Sequence, residues 1–216
     1  MAINAVQSDL LQLTQWLSPS FPVSSYAYSH GLEVAMADGS VANGVDLSNW
    51  IAGILCAGSG RNDAILLCYA RRATVPLAEL GELAEALASS AERLEETRAQ
   101  GAAFVRTVNM MTARNQPALP YPVAIGAAAR DLALDDATIV QLFLHAFASN
   151  LVSVGVRFIP LGQTEGQHIL SGLHAVIAEV SAEAIDADLD DLGGAVFAAD
   201  LAAMQHETLD VRLFRT

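Results

Sequence analysis

The chain has 216 residues, a formal net charge of −13 and 53% hydrophobic residues. The acidic balance argues against DNA or RNA as a partner, because nucleic-acid phosphates require a basic surface. All eleven basic residues are arginine, which excludes a Schiff-base lysine and the lysine of a phosphate-binding loop, so the chain is not itself a P-loop GTPase or ATPase. Only 16% of the residues are charged, so we expect exposed apolar patches that bind other proteins.

Cysteine usage and the N-terminal sequence indicate the cellular compartment. Only two cysteines, Cys56 and Cys68, are present and no CxxC motif occurs, which is typical of a reducing compartment. Met1 is not followed by the basic and apolar run of a signal peptide. We therefore expect a cytoplasmic protein, with both cysteines packed on apolar helix faces.

The hydrophobic pattern predicts helices along the whole chain and no sustained strand. Ser8 is the expected N-cap of a first helix that ends at Ser18. A second helix is expected to begin at Ser24 or Ser25 and to run to Asp38. The next helices are expected to begin at Asp46, Asn62, Pro76, Ala91 and Pro120.

The stretch 137–162 is the feature around which the chain is organised. No charge occurs between Asp136 and Arg157, and apolar residues point all round a helix, as in a membrane span or a protein core. The polar groups within this stretch favour a helix in the protein core over a membrane span. Leu142 and Phe147 are therefore expected to pack inside the protein. The polar groups form a stripe that recurs every four residues, with Asn150 beside it: Gln141, His145, Ser149 and Ser153.

The polar stripe has two interpretations. It is either satisfied by hydrogen bonds to neighbouring helices and trapped water, or it forms the wall of a wet passage that a metal ion could traverse. His168 and His174, which follow this helix, are expected at the surface.

The C-terminal part is expected to contain two further helices. Residues 164–167 (TEGQ) are typical of a capping box, and an apolar face follows them. An acidic loop at 186–191 separates this helix from a last one over 195–207. Residues 208–216 have no strong period and are expected to form a mobile tail, as are the N-terminal residues 1–7.

These elements together predict a single all-α domain over residues 1–216. The expected architecture is a bundle of about ten helices around the central apolar helix. No internal repeat or interdomain linker interrupts the pattern.

His30 and Glu33 are the candidate chemical pair of the N-terminal region. Their spacing places them on one face of the predicted second helix, with Tyr26 one turn earlier. The pair could handle a metal ion, face a partner protein or serve a structural role. A metal site needs further ligands, which His206 and Glu207 could supply if the last helix packs nearby.

A hydrolase is a third possibility for the same region. Ser24, Ser25 and Ser29 lie near His30 and Glu33 in the sequence. A catalytic triad needs a buried and oriented base, whereas these residues are close neighbours on one predicted helix. The chain also lacks a GxSxG nucleophile elbow. These observations disfavour a hydrolase.

Three motifs resemble the urease accessory protein UreF family. They are LSPSFPVSSYAYSHGLE at 17–33, NLVSVGVRFIPLGQTEGQ at 150–167 and MQHETLDVRLFRT at 204–216. The family pattern SPxLPxGxFxYSHGLE is matched except that serines stand where the family has small glycines, and Phe21 and Tyr26 replace its Leu and Phe. The resemblance runs from about residue 10 to the C-terminus.

The resemblance implies an all-helical, non-catalytic adaptor that acts in nickel delivery. Family members form homodimers and bind a scaffold protein, UreD or UreH, and this pair recruits the GTPase UreG to load nickel into apo-urease. No cofactor of its own is implied, because the assembled complex handles the nickel. The alternative is a metallochaperone that carries nickel itself, with His30 and Glu33 as candidate ligands.

The resemblance also implies partner-binding residues at both ends of the chain. Arg212 is the residue expected to recruit the GTPase, because arginine and aromatic residues dominate binding hot spots. The structural alternative is that Arg212 pairs with Asp210 or with the acidic stretch. The expected partner-binding set is Tyr26, Tyr28, Ser29, His30, Glu33, His206, Glu207, Arg212, Phe214 and Arg215.

Overall fold

A computed structural model describes residues 4–215 and contains only helices, turns and loops over that range. The prediction of a single all-α domain is therefore confirmed. The helices are α1 (Ala5–Trp16), α2 (Leu32–Ala37), α3 (Gly44–Ala57), α4 (Ser59–Arg72), α5 (Leu77–Ala86), α6 (Ala91–Thr112), α7 (Tyr121–Ala128), α8 (Asp136–Phe158), α9 (Gln163–Gly172), α10 (His174–Asp186) and α11 (Phe197–His206).

Helix α4, rather than the helix predicted at 137–162, lies at the centre of the bundle, and it packs against α3, α5, α7, α8 and α10. Its contact with α7 is very close, because a Cβ added at Gly126 would lie 2.3 Å from the Leu67 carbonyl oxygen. Any side chain at this position would force the two helices apart. The residues of α4 that are buried are Gly60, Asn62, Asp63, Ala64, Ile65, Leu66, Leu67, Cys68 and Ala70.

Helix α8 is the long apolar helix predicted from the sequence, and Asp135 caps it by accepting a hydrogen bond from the Thr138 N–H. Its inner face is buried, but its polar stripe is not. Gln141 and Ser153 are exposed, and His145 is half-buried. The prediction that neighbouring helices enclose the stripe is wrong, because two of its members are exposed and the other two are only half-buried. Gln141 and His145 line a surface groove between α1, α8 and α10, and Ser149 lines a neighbouring groove beside the end of α1.

Two segments are apolar and long enough to cross a membrane by length and composition alone, Gly44–Arg72 and Asp136–Phe158. The first consists of two helices, α3 and α4, which meet at Gly58. The fold buries 56% and 50% of the apolar windows of these segments, as expected for helices that pack in a core.

Several helix boundaries differ from the predicted ones. Helix α1 begins earlier than expected, because Asn4 rather than Ser8 accepts the capping hydrogen bond. Residues 5–7 are therefore helical, and residues 1–3 of the predicted mobile end lie outside the described part. The capping box at 164–167 is wrong, because α9 begins after Gly162 without a side-chain cap. The predicted apolar face is shared by two helices that meet at Leu173.

The two cysteines have different environments. Cys68 is buried in α4 as predicted, and burial raises the pKa of its thiol to about 11. The thiol therefore stays protonated and acts as a small apolar group. The prediction that Cys56 packs in the core is wrong, because this side chain is exposed on α3.

Arginine side chains tie the ends of several helices together. Arg130 donates to the Ala70 carbonyl oxygen at the end of α4, at 2.8 Å. Arg114 donates to the Ala128 carbonyl oxygen at the end of α7, at 3.0 Å. These carbonyl groups have no partner within their own helix. The planar guanidinium of arginine presents five N–H donors in a fixed arrangement and can therefore bind several acceptors at once.

Two leucines of α8 that differ in burial provide a matched pair of substitutions. Leu144→Ala removes a side chain that is fully buried, and we expect it to lower the free energy of unfolding by about 2–5 kcal/mol because it leaves a cavity. Leu142→Ala removes a half-buried side chain at the groove and should cost less. Urea unfolding monitored by circular dichroism measures both. Equal losses would contradict the described orientation of α8.

Candidate functional site

The segment 18–31 is a loop rather than the start of the predicted second helix. A single 3-10 turn covers Ser25–Ala27, and α2 begins only at Leu32. The loop contains left-handed backbone at Ser24, His30 and Gly31, with φ of 59°, 51° and 77°. The prediction that His30 and Glu33 share a helix face is therefore wrong, since His30 precedes the helix.

Gly31 allows α11 to lie directly against the start of α2. A Cβ at Gly31 would be 2.8 Å from the Ala199 carbonyl oxygen and 2.9 Å from the Ala202 Cβ. The left-handed φ of Gly31 would also strain any other residue. This close contact brings the end of α11, with His206, next to Glu33 on α2.

The Glu33 carboxylate binds the C-terminal segment of the chain, although only 9% of Glu33 is exposed. The backbone N–H of Leu213 donates to Oε1 at 2.9 Å, and that of Phe214 donates to Oε2 at 2.9 Å. The Nε2 atom of His206 lies 2.9 Å from Oε2. One carboxylate therefore connects α2 to the last helix and to the segment 208–215.

A second carboxylate extends this network to Arg212. Glu92 Oε2, in the first turn of α6, lies 2.8 Å from His206 Nδ1. The Arg212 guanidinium donates to Glu92 Oε1 at 2.6 Å. Arg212 is paired with an acidic residue, but the partners expected for it are wrong. The partner is Glu92 rather than Asp210 or the acidic stretch. We call Glu33, Glu92, His206 and Arg212 the tail network.

The tail network determines the ionisation of Glu33. Burial by itself would raise the pKa of this carboxyl group. The hydrogen bonds from His206 and from the Leu213 and Phe214 N–H groups stabilise the charged form, and together they outweigh burial. The pKa of Glu33 is therefore lowered.

Further contacts hold the end of the tail. The Phe214 side chain is 7% exposed and its ring centroid lies 5.3 Å from that of Phe158 on α8. The Arg215 N–H donates to the Ala27 carbonyl oxygen at 2.7 Å. Residues 208–215 contain no helix, as predicted, but residues 212–215 are hydrogen-bonded to Glu92, Glu33 and Ala27. The mobility of the tail stays a prediction.

A second polar cluster is buried directly beneath the same loop. His30 Nε2 lies 3.1 Å from Glu96 Oε1 on α6. Arg93 bridges two acidic groups, with one guanidinium nitrogen 3.2 Å from Glu96 Oε2 and the other 2.6 Å from Asp63 Oδ2. Gln100 donates to Glu96 at 2.9 Å. These side chains line a cavity of about 30 Å³, which is large enough for an ordered water.

The two acids of this inner cluster are shifted in opposite directions. Burial favours the neutral form of both groups. For Glu96, the charges and hydrogen bonds of His30 and Arg93 outweigh burial and lower the pKa. For Asp63, burial dominates over Arg93 and raises the pKa. Glu96 makes the most contacts in the cluster, since it is bound by His30, Arg93 and Gln100.

The structure does not bring His30 and Glu33 together as metal ligands, and it does not form the catalytic triad considered from the sequence. His30 is directed at Glu96, whereas Glu33 is directed at His206 and the tail. His206 has a carboxylate at each ring nitrogen, so neither nitrogen is oriented towards a serine hydroxyl. Within residues 4–215, no three His, Cys, Asp or Glu side chains are arranged to hold a metal ion.

The sequence pattern did not identify the acidic partners of these histidines. These partners are Glu96, next to His30, and Glu92, next to His206. Together with Gln100 they recur every four residues and form one polar stripe. That stripe was the available signal, and it faces the core rather than solvent.

An apolar surface adjoins the tail network. Phe197, Leu201 and Met204 recur along one side of α11 and are 78%, 55% and 47% exposed. Val211 and Leu213 of the tail are 78% and 68% exposed. We call these five side chains the C-terminal face. Large apolar side chains that are exposed on a helix and on the segment after it are typical of a protein-binding surface.

The remaining predicted site residues differ in exposure. Tyr26 is 53% exposed, whereas Tyr28 and Ser29 are buried. Glu207 accepts a hydrogen bond from the Ala91 N–H at the start of α6, at 2.8 Å. The Arg212 side chain is 42% exposed despite its contact with Glu92. Arg212 and Tyr26 are therefore accessible in this conformation.

Comparison with known proteins identifies close relatives. The family model described as UreF matches residues 41–174. A urease accessory protein UreF of Cereibacter sphaeroides (strain ATCC 17029) is 55% identical over 96% of this chain and 98% of its own length. The corresponding proteins of Jannaschia sp. (51%, covering 96% and 94%) and Rhizobium etli (45%, covering 96% and 96%) are similar over the same extent.

The lowered pKa of Glu33 predicts how stability depends on pH. The ionised carboxylate stabilises the folded state above its usual pKa of 4.5, and this contribution is lost as the pH falls through the lower folded value. Glu33→Gln should therefore reduce the free energy of unfolding by about 1–3 kcal/mol at pH 7, and by progressively less below pH of about 4. Urea unfolding between these pH values measures the difference.

The exposed Glu79 of α5 supplies the control. Glu79→Gln should change the free energy of unfolding by less than about 0.5 kcal/mol at every pH. A Glu33→Gln curve that runs parallel to the wild-type curve at all pH values would show that the tail network does not depend on the ionised carboxylate.

Proposed function

The chain belongs to the UreF family of urease accessory proteins, and from this premise we propose that it is a non-catalytic adaptor for nickel insertion into urease. In this proposal it binds a UreD/UreH-type scaffold protein, and the pair recruits a UreG-type GTPase to apo-urease. The observation that carries the proposal is the docked C-terminal tail, which presents an accessible arginine beside an exposed apolar face.

The C-terminal face is the proposed site for the scaffold protein. Its five apolar side chains lie on helix α11 and on the tail that follows it, and each is between 47% and 78% exposed. Covering such a surface releases water and supplies the main driving force for association. A scaffold bound there would also contact the segment that carries Arg212.

Arg212 is the proposed contact for the GTPase. Its guanidinium is already oriented by Glu92, so less side-chain entropy is lost on binding than for a free arginine. A complete lack of lysine means that the chain provides no phosphate-loop lysine of its own. The nucleotide chemistry in this proposal is therefore supplied by the partner.

The buried members of the predicted partner-binding set have an indirect role in this proposal. Glu33 and His206 hold the tail backbone and orient Glu92. His30 holds the loop that precedes Glu33 through its contact with Glu96. Tyr28 lies under the tail and forms a hydrogen bond with Arg215. These residues would position the docking surface rather than contact the partner.

The adaptor is favoured over a metallochaperone that uses His30 and Glu33. The Glu33 carboxylate already accepts hydrogen bonds from two backbone N–H groups and lies against His206. A nickel ion at this position would have to displace all three donors and release the tail. We retain the nickel carrier as the alternative function.

The remaining expectations are part of the same proposal. The two cysteines lack a disulfide partner within residues 4–215, which suits the reducing cytoplasm. Apo-urease and a second copy of this chain complete the proposed set of partners. Nucleic acid and membranes are not included in it.

Recruitment of the GTPase tests the adaptor proposal. The protein, co-expressed with its scaffold partner, is used to pull down UreG as the full-length chain, as a chain ending at Asp210, and as Arg212→Ala. We expect the truncation to abolish recruitment and the substitution to reduce it at least about tenfold, because a central arginine can contribute about 2 kcal/mol or more to binding. Scaffold binding is measured in the same samples.

Arg98→Ala is the matched control for this experiment. Arg98 is also a surface arginine paired with one carboxylate, that of Glu85, but it lies outside the tail network. It should leave recruitment unchanged. Full recruitment by the truncated chain, with scaffold binding intact, would exclude the tail as the docking element.

A nickel titration separates the adaptor from its alternative. Isolated protein is titrated with Ni²⁺, and the titration is repeated with His30→Ala and with Glu33→Gln. The adaptor proposal expects both variants to bind Ni²⁺ as the wild type does. One tightly bound ion that is lost in both variants would favour the nickel carrier.

A further inference from the structure

The groove between α1, α8 and α10 holds a pair of histidines that the tail network does not use. His145 belongs to the polar stripe of α8, and His174 is the first residue of α10. Both side chains line this groove. The other lining residues are Leu10, Thr138, Gln141, Leu142 and Ile177. The groove is therefore mainly apolar, with polar groups concentrated around the two imidazoles.

The distance between the two imidazole rings suits a shared metal ion. Their centroids are 5.5 Å apart and the ring planes are inclined by 44°. An ion about 2.1 Å from a ligating nitrogen lies about 3.2 Å from the ring centroid. Two imidazoles bound at angles of about 90–120° then have centroids about 4.5–5.5 Å apart. The observed spacing falls at the upper end of this range.

The surroundings of the pair also suit a cation. Gln141 lies one turn before His145 on the same stripe, and its side-chain carbonyl can supply an oxygen ligand. No arginine lines the groove, whereas Arg93 or Arg212 neutralises carboxylates in the two polar clusters described above. The net charge of −13 attracts cations to the protein as a whole.

We propose that His145 and His174 bind a divalent first-row transition ion, with the Gln141 carbonyl and water completing its coordination. Imidazole nitrogen with neutral oxygen ligands suits Ni²⁺, Zn²⁺ or Cu²⁺ rather than Ca²⁺ or Mg²⁺. Only two ligands are histidine, so the ion exchanges more readily than in a four-ligand structural site. This site lies outside the tail network and does not depend on the proposed adaptor function.

Calorimetric titration of the untagged full-length chain with NiSO₄ and with ZnSO₄ tests this site. We expect one ion per chain. His145→Asn and His174→Ala should each weaken binding at least about tenfold, because even substitutions next to metal ligands reduce affinity by that factor. His168→Ala is the matched control, since His168 is an exposed histidine on the neighbouring helix α9, and it should leave the affinity unchanged.

Nuclear magnetic resonance identifies the ligands directly. Ni²⁺ should broaden the imidazole signals of His145 and His174 before those of His168. Circular dichroism melting confirms that each variant is folded. The proposal is overturned if the wild type binds no ion, if all three substitutions weaken binding equally, or if binding is lost only in His30→Ala or Glu33→Gln.

Discussion

The carboxylate of Glu33 is the interaction on which the functional end of this protein depends. It is buried, and a buried carboxylate without partners would be strongly destabilising. Its three partners come from the last helix and the tail, more than 170 positions further along the chain. Folding therefore has to bring the C-terminus back to α2, and Gly31 permits the close helix contact that this requires. The position of Arg212 is a consequence of satisfying Glu33.

Two polar clusters meet at the single loop that precedes α2. His30 connects this loop to the inner cluster on α6, and Glu33 connects the next turn to the tail. The left-handed backbone at His30 and Gly31 directs the two side chains towards different partners. Residues 30 and 33 are three positions apart, so the two clusters hold adjacent parts of one short segment.

The sequence was sufficient to predict the all-α fold, because helical periodicity and the charge-free stretch of α8 are local signals. It did not predict the loop at 24–31, since left-handed backbone at Ser24 and His30 has no reliable sequence signature. Nor did it predict the ion pair between Arg212 and Glu92, which are far apart in the chain and meet only through tertiary packing. The polar stripe of α8 was expected inside the protein because the leucine, valine and phenylalanine residues around it are typical of a core helix.

Amide hydrogen exchange of Leu213 and Phe214 at pH 7 tests most directly whether Glu33 holds the tail. If it does, both amides are protected in the full-length wild type and exchange at least about tenfold faster in Glu33→Gln, with the helices equally protected in both proteins. Unprotected amides in the wild type, or equal protection in the two proteins, would contradict this claim. Glu33 would then not hold the tail, and the position of Arg212 would not depend on it.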